Sequence, residues 1–194
     1  MPTTHLLYLH GFRSAPASTK ARKMQQRVEA FPAVTWCCPQ LPPSPAEAMA
    51  LIEHSIEGWP RASMAVVGSS LGGFYAAVLA EKTGCKAALL NPAVDPARDL
   101  GAYIGTVGSW HDPQDTFEFR AEYIDELRAL EPAAFRQPER YYTLIAKGDE
   151  VLDWQEMTAR YPAAHGQLLD GSDHAIQDFD DHIDDLLAFL DLAR

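Results

Sequence analysis

The stretch AVVGSSLGGFYAAV, residues 65–78, constrains this chain more than any other. An apolar run tightens into glycines and two adjacent serines, and a second apolar run follows at helical spacing, so the stretch reads as strand, tight turn and helix. Only one of the two serines has glycine two residues away on both sides. Ser70 stands between Gly68 and Gly72, whereas Ser69 stands between Val67 and Leu71, whose side chains would clash in such a turn. A residue at the apex of a strand-to-helix turn takes a strained backbone, and the flanking glycines relieve the crowding. The turn presents its central side chain at the C-terminal edge of a sheet and at a helix N-terminus, where free N–H groups and the helix dipole favour negative charge. G-x-S-x-G in this setting is the pattern of a nucleophilic serine, so Ser70 is the candidate and Ser69 a small turn residue.

The rest of the chain supplies the sheet that this turn needs. HLLYLH (5–10), VTWCC (34–38), SMAVVG (63–68), KAALLN (86–91), YYTLIAKG (141–148) and GQLLDG (166–171) read as strands. Residues 18–30, 44–59, 71–83 and 176–190 read as helices, the second opened by a capping box of Ser44 with Glu47 and by Pro45 at its first position. The last helix places Ile176, Phe179, Ile183, Leu186, Leu187 and Leu190 on one face, and Asp178, Asp181, Asp184 and Asp185 on a solvated one. Strand and helix in alternation predict a parallel sheet covered on both faces, with six strands in the order 2-1-3-4-5-6.

One connection breaks the rhythm. About fifty residues separate the fourth and fifth strands, too many for one crossover helix. They carry an amphipathic segment of Phe119, Tyr123, Ile124, Leu127 and Leu130, in a stretch that also holds Trp110 and Phe117. The expectation is a single domain, 1–194, with a lid-like insertion at about 95–138. Its apolar face would cover the rim of the crevice, with Trp110, Phe117 and Phe119 lining an acyl pocket; the alternative makes these residues and Trp154 ordinary core.

Charge and cysteines narrow the classes of function. Sixteen Lys and Arg against 27 Asp and Glu leave a formal charge of −11, which disfavours nucleic acid and anionic membranes as partners. The N-terminus lacks a basic region and its apolar run is short for a signal peptide, and no stretch reaches membrane-spanning length. Cys37, Cys38 and Cys85 form no metal or disulfide pattern. The reading is a reduced, cytoplasmic protein.

A serine hydroxyl needs a base, and the base an orienting acid. His174, in DGSDHAI, follows the last strand, and Asp149, in IAKGDEVLD, follows the one before it, so both emerge at the sheet edge that carries Ser70. Serine, acid, histidine is the chain order of α/β-hydrolases. Asp153 is the competing acid; Asp149 is preferred because it opens the loop, and Asp153 suits the cap of a helix from Trp154. Asp95 is a remoter alternative, and Asp173 points away from its neighbour His174. His10 reads as packing under the loop after the first strand, and His5, His54, His111, His165 and His182 as structural.

YLHGF with SAPAS-TKA behind it, GSSLGGFYA, GDEVLDW and GSDH together resemble the YqiA-like esterases of the α/β-hydrolase superfamily. The resemblance implies a short three-layer α/β-hydrolase fold and cleavage of a small-molecule acyl ester by a Ser70–Asp149–His174 triad, with no cofactor or metal. It also implies an oxyanion hole from the backbone N–H groups of Phe12, in HGF, and of Leu71. An acyl-CoA thioesterase is the nearest alternative, and a hydrolase fold kept as an interaction module the alternative of a different class.

Overall fold

Alternation along the strands decides the layers. In the computed structural model, which describes residues 1–110, 112 and 114–192, Leu7 and Leu9 of the first strand pack into one apolar cluster and Leu6 and Tyr8 into another. His111 lies outside the described residues, as do Pro113, Ala193 and Arg194. The elements run β1 (His5–Leu9), α1 (Thr19–Val28), β2 (Thr35–Cys37), α2 (Pro45–Ser55), β3 (Met64–Ser69), α3 (Leu71–Thr83), β4 (Lys86–Leu90), α4 (Pro96–Asp99), β5 (Gly105–Gly108), β6 (Thr116–Phe119), α5 (Glu122–Leu130), β7 (Tyr141–Ala146), α6 (Trp154–Arg160), β8 (His165–Leu169) and α7 (Ile183–Phe189). Six of the strands form one parallel sheet in the order β2-β1-β3-β4-β7-β8, the order the sequence predicts. Successive side chains of a strand face opposite ways. Val66, Ala87 and Leu89 accordingly join Leu7 and Leu9 under α2, α3 and α5, while Ala65, Val67, Ala88 and Leu90 join Leu6 and Tyr8 under α1 and α7.

Central position explains the helix that follows the Ser70 turn. Every residue of α3 from Leu71 to Ala80 is buried, so this helix is apolar all round. Gly84 ends it in the left-handed region at φ 77°, its N–H closing on Ala80 O. At α2 the capping is shared with the insertion. Ser44 Oγ accepts from Glu47 N at 3.2 Å, but the carboxylate at the helix start is Glu126 of α5, which accepts from Ser44 Oγ at 2.7 Å and Ala46 N at 2.9 Å. An anion there matches the helix dipole and ties the insertion to the main body.

Two expectations about elements are corrected. Phe119 is not helical: Thr116–Phe119 pairs antiparallel with Gly105–Gly108 in a separate two-stranded sheet, Val107 opposite Phe117, and α5 starts only at Glu122. The alternation in Thr116-Phe117-Glu118-Phe119 has the strand period of two, and that local signal wins. The C-terminal helix is also shorter. Ile176 takes a positive φ of 50°, a single 3₁₀ turn spans Phe179–Asp181, and α7 begins at Ile183. The apolar face nevertheless survives, because Ile176, Phe179, Ile183, Leu186, Leu187 and Leu190 are all buried. Among the described residues no helix is long and apolar enough to cross a membrane.

Candidate active site

Ser70 sits between β3 and α3 with φ 56° and ψ −122°, a conformation costly for any residue with a Cβ. Four hydrogen bonds hold it there. Its N–H donates to Leu90 O at 3.0 Å, and its carbonyl accepts from Gly73 N at 2.8 Å, Ala93 N at 3.1 Å and Phe74 N at 3.3 Å. The flanking glycines serve close approach: a Cβ on Gly68 would run into the Gly72 carbonyl, and one on Gly72 into the carbonyls of Leu9 and His10. A side chain at Gly68 would push α3 off β3, and one at Gly72 would push the turn off the end of β1.

The loops after β7 and β8 meet beside this turn. His174 Nδ1 lies 2.7 Å from Asp149 Oδ2, and the Asp149 side chain is wholly buried while that of His174 is 22% exposed. Asp149 Oδ1 accepts from Val151 N and Leu152 N, each at 2.8 Å, which fixes the carboxylate. An ionised carboxylate only accepts, so Nδ1 carries the hydrogen and Nε2 keeps its lone pair for a proton. Asp153 caps α6 through Gln155 N and Asp95 caps α4 through Arg98 N. Neither is the partner of His174.

Ser70 and His174 line one cavity of about 420 Å³, with Phe12, Leu71, Trp110 and Leu152 among its walls. Their side chains share no hydrogen bond; such contacts are often long before substrate binds. Phe12 and Leu71 both line this cavity and, among the described residues, the N–H of neither donates to a protein acceptor. His10 supports the loop that carries Phe12. Leu41 N donates to His10 Nε2 at 3.0 Å, so Nδ1 holds the hydrogen and donates to Gly11 O at 2.9 Å. A second cavity, about 540 Å³, shares Phe12, Arg13 and Leu71 with the first and is walled by Leu51, Tyr75 and Phe117.

The insertion furnishes part of these walls, though not with the three aromatics expected. Trp110 lines the first cavity and is 65% exposed, and Phe117 lines the second. Phe119 lines neither. It is 1% exposed and stacks edge-on against Phe12, at 5.2 Å, and Tyr123, so its role is core. Tyr103 and Phe117 also meet the Phe12 ring edge-on, at 5.4 and 5.7 Å. Arg13, at φ 61°, donates from Nε to Gly108 O and stacks over Trp110 at 4.0 Å, while Trp110 N donates to Arg13 O. The insertion therefore clamps the loop after β1.

Three residues to which no sequence motif assigns a role hold the His174 loop. Asn91, fully buried at φ 42°, donates from Nδ2 to Asp173 O at 3.1 Å and His174 O at 3.3 Å, and accepts Ala146 N at 2.8 Å. Lys20 Nζ donates to His174 O at 3.0 Å, and Glu150 Oε2 accepts His174 N at 3.1 Å. The available signals were a polar residue closing an apolar strand and a lysine in the first turn of a helix. Burial, aided by Cys37, pushes the Cys38 thiol up to about 12, so this cysteine is not a ready thiolate. No group of three or more His, Cys, Asp or Glu side chains among the described residues is arranged to hold a metal ion.

The chain is similar to proteins of known structure over nearly all its length. Alpha/beta hydrolase domain-containing protein 10 from mouse is 17% identical, with 97% of this chain and 91% of that chain covered and a TM-score of 0.68. A structure of the metagenome-derived lipolytic enzymes LipS and LipT gives 15% identity, 98% and 94% coverage and 0.68. Est1E from Butyrivibrio proteoclasticus with ferulic acid bound gives 13%, 98% and 87%, and 0.69. At these identities the likeness speaks for the fold, which is that of the α/β-hydrolases. Residues 5–191 match the uncharacterised protein family UPF0227, and to that family, the YqiA-like one that the motifs resemble, the chain belongs.

Proposed function

We propose that the protein is a serine hydrolase that cleaves carboxylic esters through an acyl-enzyme. The observation that carries this reading is the 2.7 Å contact of the buried Asp149 carboxylate with His174 Nδ1, on the rim of the cavity that Ser70 enters from its strained turn. In the proposed mechanism Ser70 Oγ attacks the ester carbonyl carbon and His174 Nε2 takes its proton. Asp149 stabilises the imidazolium. The carbonyl oxygen becomes an oxyanion and is met by the N–H groups of Phe12 and Leu71, which donate to no protein acceptor among the described residues. Collapse breaks the bond to the alcohol, which leaves with the proton from His174. Water then repeats the sequence on the acyl-enzyme, giving the acid and free Ser70. No metal or cofactor enters any step.

The apolar walls of the second cavity, Leu51, Tyr75 and Phe117, suit an acyl chain, and the insertion at 95–138 acts as a lid on a single domain. The lipolytic enzymes and Est1E with its bound ferulic acid fit the same substrate class. A fluorophosphonate probe, read by peptide mass spectrometry, tests the reading. It should add to Ser70, and Ser70→Ala should abolish labelling and lower kcat on p-nitrophenyl butyrate by about 10⁴-fold or more. An adduct on Ser69, or no adduct at all, would favour an interaction module.

A further inference from the structure

Lys20 stands against its local physics. It is the second residue of α1, where the helix dipole disfavours a cation and no acidic residue shares the first turn. Its reason is tertiary. The ammonium, packed between α1 and the loop after β8, donates to His174 O at 3.0 Å. With Ser70, His174, Tyr8 and Ser69 it lines a chamber of about 130 Å³ behind the nucleophile. Asn91 already holds the same carbonyl at 3.3 Å, so the hydrogen bond is duplicated. The charge is not.

His174 lies among carboxylates. Asp149 contacts its ring, Glu150 accepts its N–H and Asp173 precedes it in the chain. Across the larger cavity stand Asp99 and Arg13, the guanidinium of Arg13 being occupied by Gly108 O and the Trp110 ring. On the floor of the chamber are His10, whose Nε2 accepts a backbone N–H, and the hydroxyl of Tyr8. Lys147 pairs with Asp170 at the start of the loop after β8, and Lys20 is the cation among these groups that reaches His174 itself.

We propose that Lys20 is a positioning residue for His174: its charge balances Asp149, Glu150 and Asp173, so that the imidazole stays unprotonated at neutral pH while its loop is held in place. The proposal rests on the reading of His174 as the base. Burial lowers the Lys20 pKa to about 8, with Asp149, Asp173 and Glu150 pulling it back up. The ammonium is therefore charged throughout the range in which an ordinary imidazole, near ~6.5, titrates.

The test is an NMR titration of the His174 imidazole, identified by its loss in His174→Asn, for the wild type, Lys20→Met and Lys20→Arg. The acid limb of kcat/KM on p-nitrophenyl butyrate is measured beside it. Removing a cation favours imidazolium, so Lys20→Met should raise both midpoints by about 0.5–1 unit, and Lys20→Arg should leave them in place. At the pH optimum Lys20→Met should lower kcat about tenfold with KM nearly unchanged, from looser positioning. A lower kcat with neither midpoint moved would mean a merely structural lysine and overturns the proposal, as would an equal shift in Lys20→Arg. If Lys20→Met does not fold, Lys20→Gln, which keeps a donor without the charge, is read by the same criteria. The NMR midpoint needs no substrate. A shifted midpoint without a fluorophosphonate adduct at Ser70 therefore retains the balance of charge at His174 and overturns the reading of Ser70 instead.

Discussion

Ser70, Asp149 and His174 stand on loops leaving the same edge of β3, β7 and β8, whereas Tyr103, Trp110 and Phe117 on the facing wall come from the insertion between β4 and β7. The first wall is fixed by backbone hydrogen bonds, missing Cβ atoms and one buried carboxylate–imidazole contact, each with a narrow geometry. The second is held by edge-on aromatic contacts around Phe12, the Arg13–Trp110 stack and the Glu126 cap on α2. Aromatic pairs are worth about 0.5–1.5 kcal/mol each and tolerate a range of ring separations, so this wall can change shape by small steps. A strained turn cannot. The difference suits a site in which the reaction is kept constant and the shape of the substrate is not.

Substitutions should separate the two walls, the larger effects falling on the first. After Ser70→Ala, the largest loss should come from Asp149→Asn, at about 10³–10⁴-fold in kcat, because an amide in place of the carboxylate disfavours the required tautomer and the imidazolium. Asp153→Asn keeps an Oδ1 acceptor for Gln155 N, so the α6 cap survives and both stability and kcat should change little. An ester assay with the two effects reversed would mean that the wrong acid has been assigned to the first wall.

The pH dependence is the next test. Below its midpoint the imidazole is protonated and cannot take the serine proton, so kcat/KM should drop about tenfold per unit on the acid side. A flat profile from pH 5 to 8 would remove His174 from the role of base.

The second wall should answer more softly. Across p-nitrophenyl esters from acetate to decanoate, Trp110→Ala and Phe117→Ala should shift the preferred chain length, with changes of up to about 0.8 kcal/mol per methylene and with fluorophosphonate labelling of Ser70 retained. Phe119→Ala should act on folding instead, lowering stability by about 3–5 kcal/mol in thermal or denaturant unfolding, because the ring is buried between Phe12 and Tyr123. Unchanged chain-length profiles in both cavity variants would mean that the insertion does not set specificity.

What the sequence determined by itself was the part of the molecule written in local chemistry. Apolar runs of strand length, Gly68 and Gly72 around Ser70, and Asp149 and His174 just past consecutive strands are each legible within a few residues. The parallel sheet and its order follow from the alternation, since a crossover helix leaves few other topologies. Only the tertiary structure decided the rest. The alternating segment Thr116–Phe119 became a strand because Gly105–Gly108, eleven residues earlier, lies beside it, and the C-terminal helix lost its first turns to the bend at Ile176. Asn91, Glu150 and Lys20 act on His174 across 83, 24 and 154 residues of chain, and Glu126 caps a helix 80 residues away. The physical reason is the same in each case. A period or a turn is set by neighbours in the chain, whereas a buried hydrogen bond or a balanced charge depends on which distant groups folding brings within about 3 Å.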